Sequence, residues 1–469
     1  MTGQALDTAS SRRSTKARLG EYKRYWDEER ETMDPKKREM LILDRLRRQL
    51  SYVYDKLPFY RAHYDEHGFK PDMVTSLEDF TTKVPIITKK MLVEDQAAHP
   101  PFGSYLGASR EELIRIHGSS GTMGKPTMYG VSKDDWERAG EFSCMALWCA
   151  GIRPDDVVHI SLPFTLFFGG WGVLQAAEKL GACSFPAGTM IATERQLELL
   201  GNLSCDVIIA TPSYVQHLAS KAKGLGVDPG YSSVSLAIMG GEAGASVESI
   251  RESMRLAWGD IGLVDVAAGS TSELYPFTSN IGCLESEGGV HLFQDENYTE
   301  VVSKEDPNEP VAPGTSGAVV ATHLWRHSQP MIRFWTGDEA LLDNEPCRCG
   351  RSYPRLPNGV FGRLDDMLVV RGANIYPSAV ESVIRDTKGT GAEFRIYVDR
   401  TADLDEILVE VERAADLPSE QAPQLQTLLE KQLKMALGVR VPARIVEPST
   451  FEQQTFKARR VIDKRTQRR

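Results

Sequence analysis

The stretch His117-Gly-Ser-Ser-Gly-Thr-Met-Gly-Lys-Pro126 decides how the rest of the chain is read. Ser119, Ser120, Gly121, Thr122, Gly124 and Lys125 crowd into it with a single methionine among them. Glycine lets a backbone approach an anion closely, while hydroxyls, amide N–H groups and an ammonium donate to it. Such a segment reads as a phosphate-holding loop. It is not a Walker A loop, in which the Lys is followed directly by the Ser or Thr that meets Mg2+. Pro126 takes that place here, and Ser119 stands where the first Walker glycine belongs.

Upstream, residues 21–68 are dense in charge, with Leu, Ile and Tyr at helical spacing. A Pro-containing stretch from Phe69 to Pro101 follows. Downstream, apolar runs read as strands (Val157–Leu162, Val207–Ala210, Val234–Met239, Leu263–Ala267). They alternate with helical segments (Gly172–Leu180, Ala192–Asn202, Ser213–Ala222, Ser246–Trp258). That alternation predicts a mostly parallel sheet covered by helices, whose ligands sit in loops beyond the C-terminal strand ends. From about Asn297 to Asp343, shorter pieces such as Ser316–Thr322 predict a β subdomain. The last unit carries the strands Phe394–Val398, Ile407–Val411 and Ala443–Val446 and the helix Ser419–Leu437, a compact α+β layout. The fold class is therefore α/β: a large domain over residues 21–364 and a small α+β domain over 365–469.

A chain of 469 residues suggests roughly three units at ~150 residues each. The net charge of -10 argues against a nucleic-acid partner. No apolar run is long enough to span a bilayer, so no membrane partner is expected. Residues 1–20, polar and rich in Ser, Thr and Arg, read as a flexible tail rather than a secretory signal. Seven cysteines, an odd number, favour reduced thiols and a cytoplasmic protein.

Ser119–Lys125 resembles the phosphate loop of the adenylate-forming superfamily, which includes the acyl-CoA synthetases. Other segments agree in the same order. Thr336-Gly-Asp338 resembles the ribose-binding motif, and Gly362-Arg-Leu-Asp-Asp-Met367 the hinge motif. Arg371–Pro377 resembles the segment after the hinge, and Phe456–Lys464 the terminal stretch that carries a catalytic lysine. Leu57-Pro-Phe-Tyr-Arg61, Cys347-Arg-Cys-Gly-Arg351 and Asn374-Ile-Tyr-Pro-Ser378 are similar to the phenylacetate–CoA ligase branch.

The resemblance implies an AMP-forming ligase that uses ATP, Mg2+ and CoA on a small carboxylic acid, an aryl or arylacetic one. Lys457 would be the catalytic lysine, because a positioned ammonium stabilises charge building on phosphoryl oxygens. Glu273 would be the Mg2+-linked carboxylate. Asp338 would hold the ribose diol, which donates two hydrogen bonds to a carboxylate, and Arg363 would contact ribose or phosphates. Gly240, Gly241 and Glu242 would form the nucleotide loop. Asp365 would be the pivot of a mobile C-terminal domain.

The chain departs from the family in two places. Gly269 and Ser270 stand where an adenine-stacking Tyr and a Gly are usual, and Phe456 stands where Gly usually precedes the lysine. These departures leave a second reading open, in which an amine, a carrier protein or another nitrogen nucleophile accepts the acyl group.

Phe164, Phe168, Gly169 and Trp171 resemble the acyl-pocket segment, with Gly269 nearby. Aromatics beside glycines suit a flat apolar acid, and the absence of charge from Phe164 to Trp171 favours a mono-acid. Cys283, His291, Cys347 and Cys349 are of the types that bind zinc as a structural Cys3His site. A homodimer is kept open as the assembly.

Overall fold

Both stems of the phosphate loop are strands. Leu113–Gly118 pairs antiparallel with Met128–Ser132, with Gly118 opposite Met128. These two flanking strands form a separate two-stranded antiparallel sheet, apart from the large sheet. The computed structural model of the chain describes residues 20, 22–119, 126–242, 244–267, 271–274, 280–286, 288–364, 368–370, 373–375, 377–401, 404–437, 440–451 and 460–464. Ser120, Gly121, Thr122, Gly124, Lys125, Gly269, Asp365 and Lys457 lie outside the described residues.

Among the described residues the central element is an eight-stranded sheet. Cys183–Phe185, Val157–Ile160, Val207–Ala210, Leu236–Gly240 and Gly262–Val266 run parallel, in that order across it. Asn280–Ile281, Val290–Leu292 and Arg355–Leu356 extend it antiparallel. Side chains alternate between its faces. Ile209, Ile238 and Val264 meet a core with the helices Lys133–Ala150 and Phe168–Leu180. Ile208, Ala237 and Leu263 meet Thr193–Asn202, Pro212–Gly224 and Glu248–Trp258 on the other side. The strands and helices expected here are present, with small shifts at their ends.

The helix Lys133–Ala150 is missing from the periodicity-based expectation. Residues from Ala139 to Ala150 are almost all buried, so the helix shows no polar face and no amphipathic period. Its ends carry ordinary signals: the Ser132 hydroxyl accepts from the Asp135 N–H, and Gly151 stops it at φ +103°.

The N-terminal segment is helical as expected, in the pieces Pro35–Lys56 and Pro58–Glu66. Asp34 caps the first, with Pro35 in its first turn. Its face of Ile42, Leu46, Leu50 and Val53 packs against Tyr129, Phe168 and Phe334. Asn297–Val302, Ser316–His323, Phe334–Leu341 and Val360–Arg363 form a four-stranded antiparallel sheet, the expected β subdomain. In the C-terminal part, Ala443–Val446, Leu404–Arg413, Thr390–Thr401 and Val461–Asp463 form another sheet in that order. The helices Pro377–Asp386 and Ala422–Leu437 share its core through Val380, Ile384, Leu429 and Leu433. Among the described residues no helix is long and apolar enough to cross a membrane.

Candidate active site

At the foot of the phosphate loop, Ser119 and Thr127 lock the two stems together. The Ser119 N–H donates to the Thr127 carbonyl at 3.1 Å, and the Thr127 N–H donates to Ser119 Oγ at 3.1 Å. The two hydroxyls meet at 2.9 Å. Ser272 Oγ donates to the Gly118 carbonyl at 3.0 Å, which fastens this foot to the segment carrying Glu273.

Glu273 is buried, and its Oε1 accepts from the Tyr129 hydroxyl at 2.9 Å and from the Lys89 ammonium. Lys89 also reaches Thr127 Oγ1 and, at 3.1 Å, the Tyr129 hydroxyl. Buried Arg326 donates from Nη1 to the Glu273 carbonyl at 3.2 Å. Burial, the largest influence, pushes the Glu273 carboxyl up; the Lys89 ammonium together with the hydrogen bonds from its own backbone N–H and from Tyr129 holds it below its usual value.

Glu273 and Ser119 stand out in the sequence by motif, whereas Lys89, Tyr129 and Thr127 do not. One signal was present. Lys89 opens the helix Lys89–Ala98 behind the Thr88 cap, where the helix dipole disfavours a cation. A lysine there gains nothing from its own helix dipole, but the signal is weak: Lys90 beside it is exposed and pairs with Glu94 of the same helix.

Asp338 and Arg363 come together as expected. They face each other across paired strands, with Arg363 Nη1 3.6 Å from Asp338 Oδ1. Gly337 reaches this geometry at φ +78°, and its carbonyl accepts from the Leu364 N–H at 2.6 Å. In the nucleotide-loop segment, Gly240 ends a central strand and Gly241 turns at φ +86°. The Glu242 carboxylate accepts from the Ser213 N–H at 3.1 Å and from its hydroxyl at 3.0 Å. That side chain therefore fastens the start of the helix Pro212–Gly224.

Among the acyl-pocket residues, Phe168 stacks on His117 with centroids 4.1 Å apart, and Trp136 lies parallel to His117 at 6.0 Å. Trp171 meets Phe164 edge-on at 5.2 Å and donates to the Thr165 carbonyl at 2.9 Å. Gly169 lies in the first turn of the same helix, Phe168–Leu180. Phe168 and Trp136 thus pack on His117, in the strand that leads into Ser119. His117 Nδ1 lies 3.1 Å from the Leu166 carbonyl, which can only accept, so that nitrogen carries the proton. Nε2 is then a bare acceptor, buried without a hydrogen-bond partner, and burial lowers the ring's pKa to about 4.

Cys283, His291, Cys347 and Cys349 are buried, with their ligand atoms within 4.8 Å of one another. Cys283 Sγ lies 3.7 Å from Cys347 Sγ, and Cys349 Sγ lies 3.4 Å from His291 Nε2. Sulfurs at about 3.8 Å form the edge of a tetrahedron around a zinc ion bonded at about 2.3 Å. The antiparallel edge of the large sheet does the gathering: Ile281 pairs with His291, and His291 with Arg355. The donor set and spacing fit zinc.

Residues 372–465 match the AMP-binding enzyme C-terminal domain family. The chain is 38% identical over 392 residues to phenylacetate-coenzyme A ligase of Thermus thermophilus, across 82% of this chain and 83% of that protein. It is 31% identical over 452 residues to the Pseudomonas putida protein of the same name, across 94% and 99%. A crystal structure of 2-hydroxyisobutyryl-CoA ligase in the postadenylation state with 2-HIB-AMP superposes with TM-score 0.90 at 38% identity, over 95% of this chain and 93% of that one. The same enzyme with 2-HIB-AMP and CoA in the thioesterification state gives 0.72, over 94% and 93%. At equal identity, the parts of this chain are arranged as in the postadenylation form.

Fold and comparisons together define an adenylate-forming enzyme with an AMP-binding C-terminal domain. The chain belongs to the phenylacetate–coenzyme A ligase family. It activates a carboxylic acid with ATP as an acyl-adenylate and passes the acyl group to CoA. The reading with an amine, a carrier protein or another nitrogen nucleophile as acceptor has no support among these proteins.

Proposed function

We propose that the acid is an aryl or arylacetic mono-acid, taken up behind the phosphate loop by Phe164, Phe168, Gly169, Trp171 and the space left by Gly269. The observation that carries this is the stack of Phe168 on His117 at the stem of that loop. Ser119, Ser120, Gly121, Thr122, Gly124 and Lys125 hold the phosphates, and Gly240, Gly241 and Glu242 line the base. Asp338 accepts from the ribose hydroxyls beside Arg363. Lys457 supplies the ammonium that stabilises the phosphoryl transition state. Glu273 has the character of a magnesium ligand: it is a buried carboxylate whose Oε1 is held in place by Tyr129 and Lys89. Magnesium, when bound, neutralises phosphate charge and takes one or two protein carboxylates. Residues 365–469 form a domain that pivots at Asp365, and Cys283, His291, Cys347 and Cys349 hold a structural zinc. The protein works in the cytoplasm.

A second reading has its own observation. The buried, unpartnered His117 Nε2 suits an acid bearing a hydroxyl near its carboxyl, as in the solved 2-hydroxyisobutyryl-CoA ligase. Pyrophosphate release and CoA-thioester formation, measured over matched acids, test both. Phenylacetate and benzoate outrunning 2-hydroxyisobutyrate supports the first reading; the reverse order overturns it in favour of the second.

A further inference from the structure

We propose that Lys89 is the resident counter-ion of Glu273: in the nucleotide-free protein its ammonium stands against the carboxylate as a divalent cation does once nucleotide binds. The side chain of Glu273 is thereby kept aimed and tied to both stems of the phosphate loop. Lys89 is a positioning residue in this proposal. It rests on the reading of Glu273 as the metal-linked carboxylate.

Four observations converge. The first is burial. The Glu273 side chain is 7% exposed, and an isolated buried charge is costly unless it is paired. A site that must accept a cation transiently needs a substitute when that cation is away.

The second is the asymmetry of exposure. Lys89 keeps 30% of its side chain exposed. Its ammonium can swing into water without itself becoming a buried charge, so the pair can part at little cost to the lysine.

The third is the division of labour on the carboxylate. Lys89 and Tyr129 both hold Oε1, so the ammonium is not the only donor that aims the carboxylate. Tyr129 is fully buried and also bonds Thr127 at 3.1 Å, so it keeps the carboxylate oriented when the ammonium leaves.

The fourth is connectivity. Lys89 touches Thr127, and Thr127 is bonded to Ser119 on the other stem. The lysine therefore couples the carboxylate to the loop that receives phosphate. Its position in the first turn of a helix, against the dipole, shows that this tertiary role outweighs local preference.

An ordinary structural ion pair would share the first observation but would not respond to a divalent ion. The test is thermal unfolding of the full chain without nucleotide, in millimolar MgCl2 or in KCl of equal ionic strength. Lys89→Met in KCl is expected to lose roughly 5 °C, the scale of a buried pair left with one partner in a large chain. MgCl2 should restore most of that loss. Wild type and Lys89→Arg should not distinguish the two salts. Adding Glu273→Gln to Lys89→Met should recover stability in KCl and abolish the response to MgCl2.

A Lys89→Met protein as stable as wild type, or one whose loss MgCl2 leaves unchanged, overturns the proposal. If Lys89→Met is insoluble, the double variant decides: recovered solubility supports the counter-ion role, and continued insolubility overturns it. The metal role of Glu273 is tested separately, by the Mg2+ concentration needed for pyrophosphate release in Glu273→Gln. If that requirement is unchanged, the metal role fails and the counter-ion proposal with it. If it rises while Lys89→Met ignores MgCl2, only the counter-ion proposal fails.

Discussion

Two clusters in this enzyme bring together side chains far apart in sequence, and they do so in opposite styles. Around Glu273, a buried carboxylate meets a partly exposed ammonium, with hydroxyls leading to the rim of a loop. Around Cys283, four soft donors face one another, and all four residues are buried. The first cluster holds an ion pair whose lysine is 30% exposed and which, on our proposal, exchanges for a divalent ion. The second is closed, and a tetrahedral ion there would have no free position. It is also bolted down from outside: Arg24 Nε and the Tyr25 hydroxyl donate to the Cys349 carbonyl at 3.0 and 3.1 Å. Arg351 pairs with buried Glu31 at 2.5 Å. On the proposed reading, chemistry would belong to the cluster that can change partners, and stability to the one that cannot.

The largest effect expected on the reactive side is from Lys457→Ala, which should cut acyl-adenylate formation by ~10²-fold or more. Thioester formation from supplied acyl-AMP should survive much better, because the phosphoryl charge is already gone. Equal loss in both half-reactions would remove the lysine from its assigned role.

Next comes the junction between the two arrangements seen in the solved relative. Asp365→Pro should leave pyrophosphate release largely intact while slowing thioester formation roughly tenfold, since proline cannot absorb a hinge's φ/ψ change. Separate assays of the two half-reactions on the folded variant check this; a parallel fall in both would make Asp365 a simple turn residue.

The closed cluster should show the converse pattern. Purified protein should carry near-stoichiometric zinc by metal analysis. Chelation or Cys349→Ser should lower the melting temperature by roughly 5–10 °C, because metal binding is folding free energy. Adenylation at low temperature should stay close to the wild-type rate. A metal-free protein of unchanged stability would end the comparison.

The smallest effect concerns a third buried polar group, Asp265, on the helix-covered face of the sheet. It accepts from the Ser246 N–H at 3.1 Å and from the Ser246 hydroxyl, and burial raises its pKa to about 6. A raised carboxyl pKa contributes stability that is present below the ordinary carboxyl range and lost as pH rises through about 6. Between pH 5 and pH 7, wild type should lose about 1 kcal/mol relative to Asp265→Asn, read by denaturant unfolding. A constant difference across that range would show that Asp265 titrates normally.

Much of the fold was legible because local rules and tertiary structure agree. The parallel strands alternate with amphipathic helices, and the edges of those elements shifted only slightly. The helix Lys133–Ala150 was not legible because burial on nearly all sides erases the period that marks a helix. The loop itself could be read, but its seat on a separate antiparallel ribbon could not. Two short strands with exposed Ile114 and Ile116 do not present the pattern of a half-buried strand. Ser119, Glu273, Asp338 and Arg363 were singled out by motif, whereas Lys89 and Tyr129 belong to no motif and meet Glu273 through packing.

The sequence by itself determined the chemical vocabulary. A run of glycines, hydroxyls and a lysine specifies a phosphate loop because backbone freedom and donor density are local properties. Cysteine and histidine likewise specify soft ligands wherever they stand. Only the tertiary structure decided which groups meet. Glu273 is paired with a lysine 184 positions away, and Cys283 faces a cysteine 64 positions away. Those meetings follow from strand order and the burial of helix faces, which are set by the whole core. An ion pair or a metal cage depends on distances of a few ångströms, and no local pattern of residues encodes them.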